Sequence, residues 1–209
     1  MALSNYSELK ESIIAWSKRD DLDLLVPDFI NLSEQDMYKN AVSVLEIKEM
    51  ELNATITSST STEFSSLPTG YISMRGARLD ITNSSDFIEY RTPEQLLRQN
   101  DAGRPVFFTI IGAQIEFDRI SDQAYSMDIS YYGKVDALTS SNTTNSILTN
   151  YPNIYLFGAL YYASIYCEED DQAAKYRNLF YSAIQGANTQ SMNGRFGPSP
   201  KMTVDGPTP

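Results

Sequence analysis

The chain has 209 residues, 42% of them apolar and 11% aromatic, enough to bury a real core in one large domain or two small ones. Histidine is absent and cysteine occurs once, at Cys167, which removes Ser-His-Asp and Cys-His catalysis, histidine-ligated zinc and any intrachain disulfide. A formal net charge of −11 argues against a protein that grips nucleic acid by its phosphates, and suits plain solubility or a channel wall to which DNA does not stick.

The N-terminus MALSNYSELK lacks the basic-then-apolar pattern of a signal peptide, and no apolar run is long enough to span a bilayer. The expectation is a cytosolic chain with no membrane partner. Asn5 with Glu8 resembles a capping box, and Tyr6, Leu9, Ile13 and Trp16 fall at helical spacing behind it. After a polar break at Lys18-Arg19-Asp20-Asp21, a second helix is expected from Pro27 to about Met50. Its stripe is Ile30, Met37, Ala41, Val44 and Leu45, with Phe29 and Leu32 beside it.

From Leu52 the period changes to two. Residues 52–57 alternate as a strand, and a Ser/Thr-rich loop follows to Glu63. Further extended pieces are expected at 64–68, at 71–79 (with Tyr71, Ser73 and Arg75 opposite Ile72 and Met74) and at 86–90. Thr92-Pro93-Glu94-Gln95 reads as the start of a brief helix. Val106 to Ile111 and Gln114 to Asp118 flank Gly112-Ala113 as a hairpin. In the strand from Ala124 to Lys134, Tyr125, Met127, Ile129 and Tyr131 share a face that alternation buries.

The stretch from Tyr151 to Tyr166 holds six of the chain's 24 aromatic side chains: Tyr151, Tyr155, Phe157, Tyr161, Tyr162 and Tyr166. Thr149 or Asn150 can cap it, Pro152 suits its first turn, and Glu168 to Asp171 mark its end. A helix apolar nearly all round must be covered on more than one side. It is either the central core helix or a helix covered on one face at home and on another by a neighbour. A last helix is expected from Asp170 or Asp171 to about Asn188, striped by Tyr176, Leu179, Phe180, Ala183, Ile184 and Ala187. The Gly- and Pro-rich remainder reads as an extended or flexible arm.

The fold class expected is α+β: a four-helix bundle from N-terminal helices and a C-terminal helical hairpin, with an inserted antiparallel β section of six or seven short strands. The implied divisions are 1–51 for the N-terminal helices, 52–135 for the β section, 136–188 for the helical hairpin and 189–209 for the arm.

Chemistry is hard to find in this pattern. A glycosidase needs two carboxylates about 5–10 Å apart, and Glu116, Asp118 and Asp128 are the strand candidates; solvated strand acids explain them better. Glu168-Glu169-Asp170-Asp171 lacks the spacing of a calcium loop and sits where a helix start favours negative charge. Gly70, Gly76, Gly103 and Gly112 make no phosphate cradle. Lys18-Arg19 and Arg75 with Arg78 are isolated basic pairs, and Cys167 reads as a small buried residue. No catalytic, cofactor or metal residue is assigned, and the chain is expected not to be an enzyme.

The order of phrases is more informative. RDDLDLLVPDFINLSEQDMYKN is followed by EFSSLPTGYISMRGARL and EYRTPEQLLRQNDAGRPVFFTIIGAQIEF. Then comes YSMDISYYGKVDALTSSNTTNSILTNYPNIYLFGALYYASIYCEEDDQAAKYRNLFYSAI. Over roughly residues 8–187 the chain resembles the head-to-tail adaptor (connector) proteins of tailed bacteriophages. That family carries phrases like LP-x-x-[YF]-x-x-[ML]-R, TPEQL, YY-x-K-x-x-AL and TN-x-[IL]-L-x-x-YP-x-[IL]-Y-L-[FY]-GAL. The last is the most specific, and nothing after Gly186 aligns.

The resemblance implies a structural virion protein at the neck, assembled in the host cytoplasm. It would form a homo-oligomeric, dodecameric ring below the portal protein and above tail, nozzle or tail-fibre proteins. Viral DNA would pass through without sequence-specific binding. By position alone, Arg195, Phe196, Pro198, Lys201 and Met202 become candidates for a portal-docking arm. Tyr155, Phe157, Gly158, Tyr161, Tyr162 and Ala163 become candidates for a core or inter-subunit helix. The alternatives are another neck or tail-completion component of the same virion, or a carboxylate-based glycan hydrolase.

Overall fold

A computed structural model describes residues 3–39, 42–81 and 84–195. Asn5 caps the first helix, α1 (Tyr6–Ser17), its Oδ1 accepting from the Glu8 amide at 3.0 Å. Glu8 reaches back to the Ser4 amide and hydroxyl, which hold its carboxyl below the usual range. Leu9 and Ile13 are buried, but Trp16, expected on the same stripe, is 51% exposed. Helix α2 (Val26–Lys39) buries Phe29, Ile30, Ser33, Glu34 and Met37.

Helix α2 ends at Lys39, well short of the expected Met50. The reason is tertiary. The Leu45 amide turns back to the Met37 carbonyl at 2.9 Å, and Leu45 and Ile47 are fully buried in a segment without regular secondary structure. That segment's backbone is satisfied by side chains of the last helix, α5 (Asp170–Arg195). Asn188 donates to the Val44 carbonyl and accepts from the Glu46 amide, both at 2.8 Å, and Ser191 Oγ accepts from the Lys48 amide at 2.8 Å. These bonds take the place a sheet partner would fill.

They also explain a second difference. Helix α5 runs to Arg195, so residues 189–195, expected in the arm, are helical, with Ser191 buried.

The chain divides into two compact units, one of Met1–Glu49 with Val135–Pro209, the other Met50–Lys134. In the first, α3 (Ser146–Asn150) is capped by Asn145, whose Oδ1 accepts from the Leu148 amide at 2.8 Å. Helix α4 (Pro152–Tyr166) follows, with Pro152 in its first turn. Helices α1, α2 and α5 all pack on α4. Glu168, in the left-handed conformation (φ 58°), turns the chain into α5, and Asp170 and Asp171 occupy the first turn of that helix.

Among the described residues the second unit holds eight strands: β1 (Glu51–Thr57), β2 (Phe64–Ser66), β3 (Tyr71–Ile81), β4 (Ser84–Phe87), β5 (Glu89–Tyr90), β6 (Phe107–Ile111), β7 (Gln114–Phe117) and β8 (Ser126–Gly133). They form two four-stranded sheets, ordered β1-β8-β3-β4 and β2-β7-β6-β5. The section is not wholly antiparallel, because β5 pairs with β6 in parallel after the chain leaves β4 for the other sheet. The hairpin β6–β7 turns on Gly112 (φ 61°), the residue that lets a two-residue turn follow the strand twist.

Met127, Ile129 and Tyr131 of β8 pack with Leu79, Phe108, Ile115 and Phe117 to form the core of this unit. Two register shifts in β3, between Tyr71 and Ser73 and between Met74 and Gly76, overturn its expected simple alternation: Tyr71 and Met74 both pack on that core. Thr92 to Gln95 makes a single turn, not a helix, and Leu97 stays 77% exposed. Helix and sheet together make the fold α+β.

Candidate functional site

The strand carboxylates are structural. Glu116 and Asp118 are buried rather than solvated, on the face of β7 opposite Ile115 and Phe117. Glu116 accepts from Arg98 Nε at 2.6 Å. One oxygen of Asp118 accepts from the Val106 and Phe107 amides at 3.0 and 3.2 Å, and the other from Arg119 Nε at 3.1 Å. Both acids thus bind the 98–107 stretch to its sheet. Asp128 is exposed and accepts from Thr55 Oγ1 at 2.7 Å. It lies in an open hollow of about 830 Å³ on the outer face of the β1-β8-β3-β4 sheet, where it is the one carboxylate among the lining residues. A paired acid and base across a cleft is therefore not assembled by these three residues. Among the described residues, no three His, Cys, Asp or Glu side chains converge as metal ligands.

Helix α4 is where the structure concentrates. Tyr155 is fully buried, and its hydroxyl donates to Glu34 Oε1 of α2 at 2.8 Å while accepting from Asn145 Nδ2 at 2.8 Å. The Leu138 amide donates to the same Glu34 oxygen at 2.8 Å, and Asn145 also donates to the Asp136 carbonyl at 3.0 Å. One buried network thus ties α2, α4 and the chain entering α3. Burial raises the Glu34 carboxyl above its ordinary range against those two donors, and burial beside Glu34 pushes the Tyr155 phenol far up. Tyr38, which accepts from the Val135 amide at 3.3 Å, is pushed up to about 12 by burial. Sequence reasoning missed Glu34, though a carboxylate within the stripe between Ile30 and Met37 was the available signal.

The six α4 candidates part into two groups. Tyr155, Gly158 and Ala163 are buried inside the unit, whereas Phe157, Tyr161 and Tyr162 are half-buried. Tyr162 is held by Asp36, and burial with that carboxylate raises its phenol. The Tyr161 and Tyr162 rings meet at 4.9 Å between centroids, tilted by 54°. Phe157 meets Trp16 of α1 at 6.2 Å between ring centroids. Of the docking-arm candidates, Arg195 is the last residue of α5, and Phe196, Pro198, Lys201 and Met202 lie outside the described residues. Trp16, Leu179 and Leu24, respectively 51%, 37% and 88% exposed, are surface residues that the sequence does not single out, since two of them belong to apolar stripes.

Residues 4–200 match the family model described as SU10 adaptor protein, and the chain belongs to that family. It is thus a phage adaptor protein, a class located at the virion neck. No curated protein matches the chain. Among the described residues, no helix is long and apolar enough to cross a membrane.

Proposed function

We propose that the chain is a head-to-tail adaptor that assembles into a ring, joins the portal to the tail and extends the channel through which DNA leaves the head. The observation that carries this reading is the family match over residues 4–200. The net charge of −11 supports it, since an acidic wall repels the DNA backbone and lets it slide without adhesion. The segment with Arg195, Phe196, Pro198, Lys201 and Met202 is the portal-docking arm of this proposal, and tail components bind the opposite end of the ring. The chain acts without catalysis.

Mixing the purified chain with the portal protein of the same virion, followed by electron microscopy, tests the proposal. The expected result is an extra ring of density on the portal. A chain that stays monomeric and fails to bind portal at any concentration refutes it. Density found lower in intact particles would move the chain to a tail-completion role.

A further inference from the structure

The two sheets of the β unit end unevenly on one side. In the β1-β8-β3-β4 sheet, β4 pairs with β3 only from Arg78 to Ile81. Among the described residues, no strand lies beside Tyr71–Ala77 on the side away from β8. In the other sheet β5 is two residues long and pairs no further along β6 than Phe108, which leaves Thr109–Ile111 without a strand neighbour on that side. The chain crosses between the sheets at Ile88, and an open hollow of about 630 Å³ lies there. It runs along seven consecutive residues of β3, Tyr71 to Ala77, and its other wall is Ile88, Tyr90, Phe108 and Ile110.

The side chains around this hollow are mainly apolar. Tyr71, Met74 and Ile110 are half-buried against the core of the unit, Ile88 and Phe108 are buried, and Tyr90 is 51% exposed. The register shifts of β3 turn Tyr71 and Met74 toward that core. Gly76 stays exposed, and a Cβ added there would meet nothing within 4 Å. Glycine inside a strand marks a place where another backbone can come close. A strand edge beside an apolar hollow is where an extended segment adds as one more strand, main chain to main chain, with alternate side chains in the hollow.

The chain carries such a segment beyond Arg195. In the fourteen residues that remain, Lys201-Met202-Thr203-Val204-Asp205 is the one run longer than a single residue that is free of proline and glycine. Met202 and Val204 alternate with polar neighbours, the pattern of a strand with one apolar face. Pro200 and Gly206-Pro207 limit the run to five residues, which fits within the seven of the β3 edge. The spacer 196–200 spans at most about 18 Å, and its two prolines favour extension, which carries the run away from its own helix and toward another copy. We infer that Lys201–Asp205 of a second copy adds to the Tyr71–Ala77 edge of β3 and places Met202 and Val204 in the hollow. The inference rests on the assembly proposed above and supplies a contact between its copies. It gives Lys201 and Met202 to the neighbour and leaves Arg195, Phe196 and Pro198 for the portal.

The test uses the full chain carrying both Met202→Asp and Val204→Asp as receptor, so that its own arm does not compete, and a synthetic peptide of residues 199–207 as probe. Both substitutions lie outside the described residues, and a circular dichroism melt matching the wild type establishes that the receptor folds. Hydrogen exchange read by mass spectrometry should slow over residues 71–77 as the peptide is raised to millimolar concentration. Exchange in β1, at the far edge of the same sheet, should not change. The peptide with both aspartates should protect nothing. In the wild-type chain alone, protection of residues 71–77 should rise with chain concentration, and the double variant should lack it. No protection by the peptide, or equal protection by both peptides, overturns the inference. So does wild-type protection that survives dilution unchanged, which would put the arm on its own copy. The peptide assay needs neither ring nor portal, so its failure leaves the adaptor reading standing. A portal that gathers no ring from the wild-type chain overturns that reading instead.

Discussion

Gly158 is a point of close approach between α4, α2 and α5, and its substitution tests the packing of the helical unit directly. A Cβ at this position would stand 2.7 Å from Ser33 Cβ and 2.9 Å from Phe180 Cε2. Carbon atoms rest about 3.5–4.0 Å apart, so alanine needs roughly 1 Å more room on two sides at once. The Phe180 ring can turn, but Ser33 Cβ is fixed to the α2 backbone, and its hydroxyl donates to the Ile30 carbonyl at 2.8 Å. Overpacking of this kind costs about 1–3 kcal/mol, partly offset by the roughly 1 kcal/mol that alanine gains over glycine in a helix.

The expected net loss for Gly158→Ala is up to about 2 kcal/mol, a fall in Tm of up to about 8 °C for a chain of this size. Gly186 on α5 is the control, because a Cβ added there meets nothing within 4 Å. Gly186→Ala should stabilise by up to about 1 kcal/mol. Thermal melts and urea titrations followed by circular dichroism read both. If the two substitutions shift stability in the same direction and by similar amounts, the close approach at Gly158 does not control this core.

Three further outcomes follow from named contacts. Burial raises the Glu34 carboxyl in the folded chain, so its contribution to stability is fully present below the ordinary value of 4.5 and is lost as pH rises through the raised one. Urea midpoints measured against pH should therefore fall over that window in the wild type and stay flatter in Glu34→Gln; identical profiles would remove Glu34 from the account. Asn188→Ala deletes both bonds to the Val44–Glu46 backbone and should cost about 1–3 kcal/mol, with faster amide exchange at Glu46 as the local signature. Arg98→Ala leaves Glu116 buried without its guanidinium and should cost roughly 1–3 kcal/mol, whereas Glu116→Gln should cost less; the reverse order in denaturation experiments would refute the pairing.

Much of the fold could be read from periodicity. The α1 start, the β6–β7 hairpin and the buried face of β8 follow from local chemistry: a cap, a glycine turn and alternation against one core. The elements that could not be read are those whose backbone partners are distant in sequence. Residues 42–47 have helical-looking spacing, yet they are not helical, and Asn188 and Ser191 bond the Val44–Lys48 backbone from more than a hundred positions away. Glu116 and Asp118 read as solvated for the same reason, since the covering segment that carries Arg98 is visible only in three dimensions.

By itself the sequence determined the α+β class, a helix between Pro152 and Tyr166 too apolar to have one covered face, and the resemblance that the family match bears out. Tertiary structure decided which sides of that helix are covered. Tyr155, Gly158 and Ala163 went to the core, because α2 and α5 approach there closely enough to exclude water. Phe157 was left half-buried beside Trp16. Periodicity reports how much of a helix must be buried. Only the positions of its neighbours decide which side is covered.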